Sequence, residues 1–461
     1  FVQTSWRKHT VRCEVEIQST RQVKGARVAV DIFDADGTRR RELSGAAPAV
    51  PRGRSAVSLE ADWADPHLWE LEDPYLYTAS VTLSVDGEKL DAAPPVRFGF
   101  REVWTEGRHV MLNGHVARFR LGWSAGLTPT SFGLHRMLGL NVFEFQPNPT
   151  AFYCNWPTDW PWVDEELLEL LDTEGCGALM LVPTISNARE ALLEDPKLAR
   201  QYRRDVERWI RRYRNHPCIL AWLPSMNTVG NHRNIDADGM GRRDVRTGSA
   251  KEAAVVRACE IVRSCDPTRL AFGHAEGNVG DISSSNMYLN FVPLQEREEW
   301  PCEYAREGDL PYIAVEFGQP FTRNYWKPQH GPRFLLTEYL AREFGDRAYR
   351  EETPQALAEV VETGAPNHAH LAGWRSVNEE HYPVFWDMQE RYVRNQDRAW
   401  RTWGVTAWFY WDFDVGWGDP PGYDPTIRHH QVTRRYEFME EPVSKRPDWA
   451  NPNFDIHRAT M

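Results

Sequence analysis

The chain has 461 residues, enough at about 150 residues per domain for two or three domains and a sizeable core. A net charge of -12 argues against a nucleic-acid partner, because phosphate binding needs a basic face. No apolar run approaches the ~20 residues that span a bilayer, which argues against a membrane partner.

The opening "FVQTSWRKHT" carries neither a starting Met nor a signal-type apolar stretch and has the character of mid-strand sequence. We read it as the start of an excised or processed segment, so a targeting signal cannot be judged from it. "TVRCEVEI", "ARVAVDIFD", "SAVSLEADW" and "LYTASVTLSVDGEKL" then alternate as strands, separated by Gly, Pro and charged turns. Asp86-Gly87 suits the positive φ angles of a tight hairpin. These elements predict a small β-sandwich over residues 1–103, closing near Phe98-Gly99-Phe100-Arg101.

From Val116 short apolar strands alternate with helical stretches, the pattern of a parallel sheet with crossover helices. Eight strands can be read: "VARFRLG", "NVFEFQP", "GALMLVPT", "ILAWLPSMN", "LAFGHAEG", "MYLNFVP", "YIAVEFG" and "VTAWFYWDF". Between them, Leu198, Tyr202, Val206, Trp209 and Tyr213 form one helical stripe, and Val255, Cys259 and Val262 another, ended by "DPTR". The predicted fold class is α/β: a (β/α)8 TIM barrel over residues 104–440, followed by a tail or linker at 441–461. A doubly wound open sheet is the alternative, but no Gly-rich phosphate loop follows any strand.

Seven scattered cysteines show no C-x-x-C and no zinc-type spacing, so they read as buried free thiols, with no metal site and no cofactor expected. The 20 Trp, 20 Phe and 16 Tyr suit a cleft that stacks sugar rings on apolar faces.

A barrel's active site lies at the C-terminal ends of its strands. Those ends carry Glu144 and Gln146; Ser225, Asn227 and Thr228; His274 and Glu276; Asn290, Gln295 and Glu296; Glu316; and Trp411 and Asp412. Two carboxylates can work across a glycosidic bond while amides bind hydroxyls and a ring stacks on the sugar. Glu316 is an acid inside the apolar "PYIAVEFG", and a buried carboxylate needs either an ionic partner or a task. Glu144 also interrupts an apolar strand, but could pair with Arg118 or Arg120. His274 can equally be a hydrogen-bonded core histidine, and Glu276 a loop acid. Trp408 and Trp411 point to opposite faces, one under the helices and Trp411 toward the mouth. His429-His430 reads as surface.

With these residues in view, the chain resembles the family 2 glycoside hydrolases, the β-galactosidase and β-glucuronidase group. "LWELEDPYLYTASVTL", "FGFREV" and "LNGHVARFRLG" resemble the end of that family's immunoglobulin-like domain and its entry to the barrel. "RMLGLNVFEFQPNP", "RNHPCILAW", "DPTRLAF" and "PYIAVEFG" follow in the order the family's barrel requires. The family's N-terminal jelly-roll domain is not in this sequence. The resemblance implies a retaining mechanism with Glu316 as nucleophile and Trp411 as the floor of the sugar subsite. It fails at the family's Asn-Glu pair, where the acid's place falls on Thr228 if the asparagines are aligned or on Asn227 if no gap is allowed, and after strand two, where Glu144 and Pro147 stand instead of Arg and His. "SMNTVGN" is closer to a divergent branch with an Asn-rich motif.

Neither Thr nor Asn supplies a proton of suitable pKa. Three readings follow: the acid has moved to a neighbouring strand end, with Glu276 the first candidate, Glu144 the second and Glu296 the third; the barrel is a catalytically impaired carbohydrate binder; or Thr228 is an engineered change. We expect a retaining exo-β-glycosidase with an atypical acid/base, releasing terminal sugars from plant or algal oligosaccharides or polysaccharides. Its expected catalytic residues are Glu316, Glu276 and Glu144. The expected substrate-binding residues are Asn227, Thr228, His274, Asn290, Glu296, Trp411 and Asp412. Loop arginines Arg242, Arg243 and Arg323 suit a uronate or sulfated sugar. Homo-oligomerisation stays open, and a bacterial periplasmic or secreted location is slightly favoured over a cytoplasmic one.

Overall fold

The computed structural model describes residues 1–71, 73–123, 132–133, 135–136, 139–145, 165–186, 193–229, 237–287, 298–317 and 385–410. Asn290, Glu296, Trp411 and Asp412 lie outside them, as do Gln146, Pro147, Gln295, Arg323, His429-His430 and the tail at 441–461.

The first hundred residues form two packed antiparallel sheets. One has the order β1-β2-β5, from Val2–Ser5, Thr10–Ser19 and Gly53–Asp62. The other has the order β4-β3-β6-β7, from Arg39–Val50, Val23–Phe33, Tyr77–Val85 and Glu88–Ala92, with β8 (Val96–Phe98) pairing to β6. Alternation buries Val28, Val30 and Ile32 of β3 between the sheets. Asp86 (φ 53) and Gly87 (φ 87) form the tight β6–β7 turn, the backbone that this dipeptide tolerates. Strand β4 is absent from the expectation: "RRRELSGAAPAV" has three arginines at its start and small residues after, so its alternation is faint. A short sheet of β9 (Val103–Glu106), β10 (His109–Leu112) and β11 (His115–Val116) follows, spanning the expected domain boundary at 103.

Among the described residues, eight strands then run in two parallel sheets. The first has the sequential order β12 to β16: Leu121–Trp123, Val142–Phe145, Gly177–Ser186, Ile219–Met226 and Leu270–Ala271. The second contains β17 (Ser283–Met287), β18 (Tyr312–Phe317) and β19 (Ala407–Tyr410), and β19 lies in contact with β12. Two expectations are corrected. The sixth strand begins at Ser283, ahead of "MYLNFVP", of which Met287 alone is among the described residues: three serines hide a strand that burial on every residue reveals. The first is shortened, because residues 117–120 are not strand and Val116 pairs with the small sheet before them.

Helices α1 (Glu165–Glu174), α2 (Pro196–Tyr213), α3 (Ala250–Cys265), α4 (Cys302–Glu307) and α5 (Phe385–Trp403) connect these strands. Asp195 caps α2, its side chain accepting from Lys197 N at 2.7 Å and Leu198 N at 3.3 Å. The buried stripe of α2 is Ala199, Tyr202, Val206, Ile210 and Tyr213; Leu198 is exposed and Trp209 only partly buried. Leu198 lies one residue, about 100°, off the stripe on which Ala199 sits. On α3 Val255, Cys259 and Val262 are buried as expected. No helix among the described residues is long and apolar enough to cross a membrane.

Arg101 ties the two units together. Its buried guanidinium donates to the carbonyls of Pro217 (2.9 Å), Ile219 (2.5 Å) and Thr268 (3.3 Å), at the N-terminal ends of β15 and β16. Trp69, fully buried, donates from Nε1 to the Asp172 carbonyl at 2.8 Å. These contacts fasten the sandwich to the face opposite the strand C-termini.

Candidate active site

The C-terminal ends of β13 and β18, with the loop after β16, bring Glu144, His274 and Glu316 together, while the end of β15 meets His274 through Asn227 and Glu276 through Thr228 and Val229. Glu144 sits among Val142, Phe143 and Phe145, and only 1% of it is exposed. Its Oε1 lies 2.8 Å from His274 Nδ1. Its cation partner is therefore neither Arg118 nor Arg120: Arg118 is exposed, and Arg120 Nε donates to the Gly139 carbonyl. Glu144 Oε2 is buried and has no hydrogen-bond partner among the described residues.

His274 continues the line to β18, with Nε2 3.4 Å from Glu316 Oε1. Its backbone is fixed as well: His274 N donates to the Ser225 carbonyl, and its own carbonyl accepts from Asn227 N, each at 2.9 Å. Burial by itself would lower the imidazole pKa. Glu144 first and Glu316 second overcome that penalty and raise it to about 10.

The aim of Glu316 comes from a bulge. Ser285 pairs with Ala314 and Asn286 with Glu316; on the other side Ala314 pairs with Trp408 and Phe317 with Tyr410. Thus β18 carries an extra residue relative to both neighbours between Ala314 and Phe317. Strict alternation would put Glu316 on the face of Tyr312, which packs against Tyr304 of α4 at 5.7 Å between ring centroids. The bulge re-aims it toward His274. Asn286, directly beside Glu316 in register and buried, went unread because the sixth strand was placed too late in the sequence.

Glu276 is fully buried. Its two oxygens accept the Thr228 N–H at 2.9 and 3.1 Å, and Oε2 accepts the Val229 N–H at 2.7 Å. Burial raises its pKa to about 7, against the pull of the Thr228 and Val229 amides. Gly273 permits this approach: a Cβ there would stand 2.1 Å from Ser225 Oγ and 2.4 Å from Glu276 Cγ. A cavity of about 80 Å³ adjoins Glu276, lined also by Asn278, Ser283, Ser285 and Tyr312.

Thr228 is turned to the frame: it is fully buried, and its hydroxyl donates to the Ile185 carbonyl on β14 at 3.3 Å. Asn227 is different. It takes a positive φ of 53° at the end of β15, and its Oδ1 has no hydrogen-bond partner among the described residues. Trp408 packs edge-on against Trp400 of α5, with centroids 5.9 Å apart.

Asp172, His216 and Cys218 have metal-ligand spacing on the opposite face, where Asp172 Oδ2 meets His216 Nδ1 at 2.7 Å and Oδ1 accepts the Cys218 N–H at 3.0 Å. Burial and then Asp172 push the Cys218 thiol well above its ordinary range. These residues read as a structural joint.

Fold and site together define a β-sandwich followed by parallel α/β sheets with acids at the strand C-termini. The family comparison agrees: residues 1–101 match the model of glycosyl hydrolases family 2. A putative beta-glucuronidase of Formosa agariphila is 26% identical over 279 residues, 56% of this chain and 22% of that protein. A beta-galactosidase of Pectobacterium atrosepticum is 28% identical over 229 residues, 48% of this chain and 20% of that protein. The alignments thus span about a fifth of these relatives' length. In fold, the chain is similar to the FMN-binding beta-glucuronidase from Facaelibacterium prausnitzii L2-6 (TM-score 0.54, 16% identity), over 89% of this chain and 54% of that one. It is also similar to beta-glucuronidase 2 of Bacteroides uniformis (TM-score 0.50, 21% identity), over 67% and 38%. Over its first 101 residues the chain is thus similar to the family 2 glycoside hydrolases, and its fold is similar to that of two beta-glucuronidases.

Proposed function

We propose that this chain carries the sandwich and catalytic barrel of a retaining exo-β-glycosidase acting on terminal sugars. The sequential strand order and the contact of β19 with β12 support a closed (β/α)8 barrel; domains at 1–103 and 104–440 and a tail at 441–461 are proposed with it. The carrying observation is the bulge in β18 that aims Glu316 at His274.

In this reading a Glu316 oxygen bonds to the anomeric carbon as the glycosidic C–O bond breaks, and the leaving oxygen takes a proton. Water then attacks the anomeric carbon, gives up a proton and releases Glu316. Glu276 is the proposed proton donor, since a carboxyl raised to about 7 still holds its proton over part of the neutral range. Asn227, whose side-chain oxygen lacks a partner among the described residues, is proposed to accept from a sugar hydroxyl. Asn290, Glu296, Trp411 and Asp412 remain proposed sugar contacts. The sugar class is read from the relatives' names as a β-galactoside or β-glucuronide.

A second reading, a carbohydrate binder with impaired turnover, is favoured by one observation: Glu276 is fully buried and engaged by two backbone amides. Incubation with 2-deoxy-2-fluoro β-galactoside and β-glucuronide carrying good leaving groups tests the first reading. A covalent label on the Glu316 peptide supports it, and turnover without any label there overturns it.

A further inference from the structure

His274 faces acceptors on both sides: Glu144 Oε1 at 2.8 Å and Glu316 Oε1 at 3.4 Å, from strands 130 and 42 residues away in sequence. A neutral imidazole has a single N–H, so it could serve one carboxylate and would turn a bare lone pair on the other. A doubly protonated ring serves both. The charged groups facing it include Glu144 from β13 and Glu316 from β18. β15 meets it through backbone, the Ser225 carbonyl and the Asn227 N–H. The ring, Glu144 and Glu316 are all buried, so solvent screens the three charges little. The direction of the His274 pKa agrees with that geometry.

We propose that His274 acts as an imidazolium, anchored by Glu144, that holds Glu316 ionised and oriented for attack on the anomeric carbon. The proposal rests on reading Glu316 as the nucleophile. His274 and Glu144 are then positioning residues, and Glu144 leaves the set of candidates for the proton donor, because its Oε1 is taken up by the His274 ring at 2.8 Å. An opposite charge within hydrogen-bond reach favours the ionised nucleophile. The backbone bonds to Ser225 and Asn227 fix the main chain from which the ring projects.

Two measurements test this. NMR of the wild-type protein with isotope-labelled histidine, assigned by loss of one signal in His274→Gln, reads the ring directly. A doubly protonated ring through pH 6 to 9 is expected, and a neutral ring at pH 7 overturns the proposal. The second is the pH profile of kcat/KM on a 2,4-dinitrophenyl β-glycoside, whose leaving group needs no proton from Glu276. In His274→Gln the acid limb should move up by about one pH unit or more, since a neutral amide no longer favours the ionised Glu316. In Glu144→Gln a basic limb should move into the range below pH 9 as His274 loses its anchoring charge. Profiles that keep their limbs in both folded variants, with only a scaled-down rate, assign a merely structural role and overturn the proposal. If the fluoroglycoside leaves wild-type Glu316 unlabelled while His274 stays doubly protonated, the nucleophile reading fails while the ion bridge itself stands.

Discussion

Glu276 Oε2 accepts the Val229 N–H at 2.7 Å across 47 residues, so the acid of the loop after β16 organises the end of β15. That is the strand end where the resemblance led one to look for a carboxylate in the chain's own sequence, and Thr228 stands there instead. The carboxyl group arrives from the neighbouring strand.

If this carboxyl is the proton donor, Glu276→Gln should keep activity on 2,4-dinitrophenyl glycosides and lose ~10²–10⁴-fold on alkyl glycosides. Equal losses on both classes would assign it to the frame only. Wild-type activity on poor leaving groups should fall as pH rises past about 7, where the proton is lost.

The same group has a stability consequence. Its folded pKa of about 7 lies above its ordinary 4.5, so the folded state binds the extra proton between those values. Stability therefore falls as pH rises from 4.5 to 7, by at most about 3 kcal/mol at 1.36 kcal/mol per unit. Urea unfolding of wild type and Glu276→Gln across that window checks it: the difference between them should shift in favour of the variant as pH rises.

Asp266 works in the opposite direction. It is fully buried, accepts from Trp222 Nε1 at 2.9 Å and lies 3.3 Å from Arg269 Nη1. Burial alone would raise its pKa, but Arg269, Thr268 and Trp222 together hold it below its ordinary 3.8. Its contribution is present above pH 3.8 and is lost as pH falls through the lowered value. Asp266→Ala should lose ~3–5 kcal/mol at pH 7, since it leaves Arg269 buried without its charge partner. Unfolding at pH 7 and below pH 3 should show that loss shrinking in acid.

Arg101 serves three carbonyls with one planar fork. Arg101→Lys should still lose roughly 2–3 kcal/mol in chemical denaturation, because a point ammonium cannot reach all three acceptors. Full rescue by Lys would mean that charge, and not the fork, joins the sandwich to the strands.

Gly273→Ala should destabilise by ~1–3 kcal/mol, because the new methyl collides with Ser225 Oγ and Glu276 Cγ. Adding Ser225→Ala should recover part of the stability. No recovery would place the strain at the Ser225 backbone.

The sequence by itself determined the two-part order of strands, the helical stripes and the interest of Glu316, because these depend on periodicity and on the cost of an acid in an apolar run. Burial patterns on β3, α2 and α3 follow from such local regularities. It hid β4 and β17, where arginines and serines occupy strand positions and weaken the alternation. Tertiary structure alone decided the rest. The Glu144–His274–Glu316 line joins residues from three strands, and no spacing along one chain encodes which acids meet a ring. The bulge in β18 depends on the registers of both neighbouring strands, and the engagement of Glu276 by the end of β15 depends on a glycine that lets two strands close. Periodicity is a property of one segment, whereas a site is a property of several segments brought together, and their electrostatics exist only once they meet.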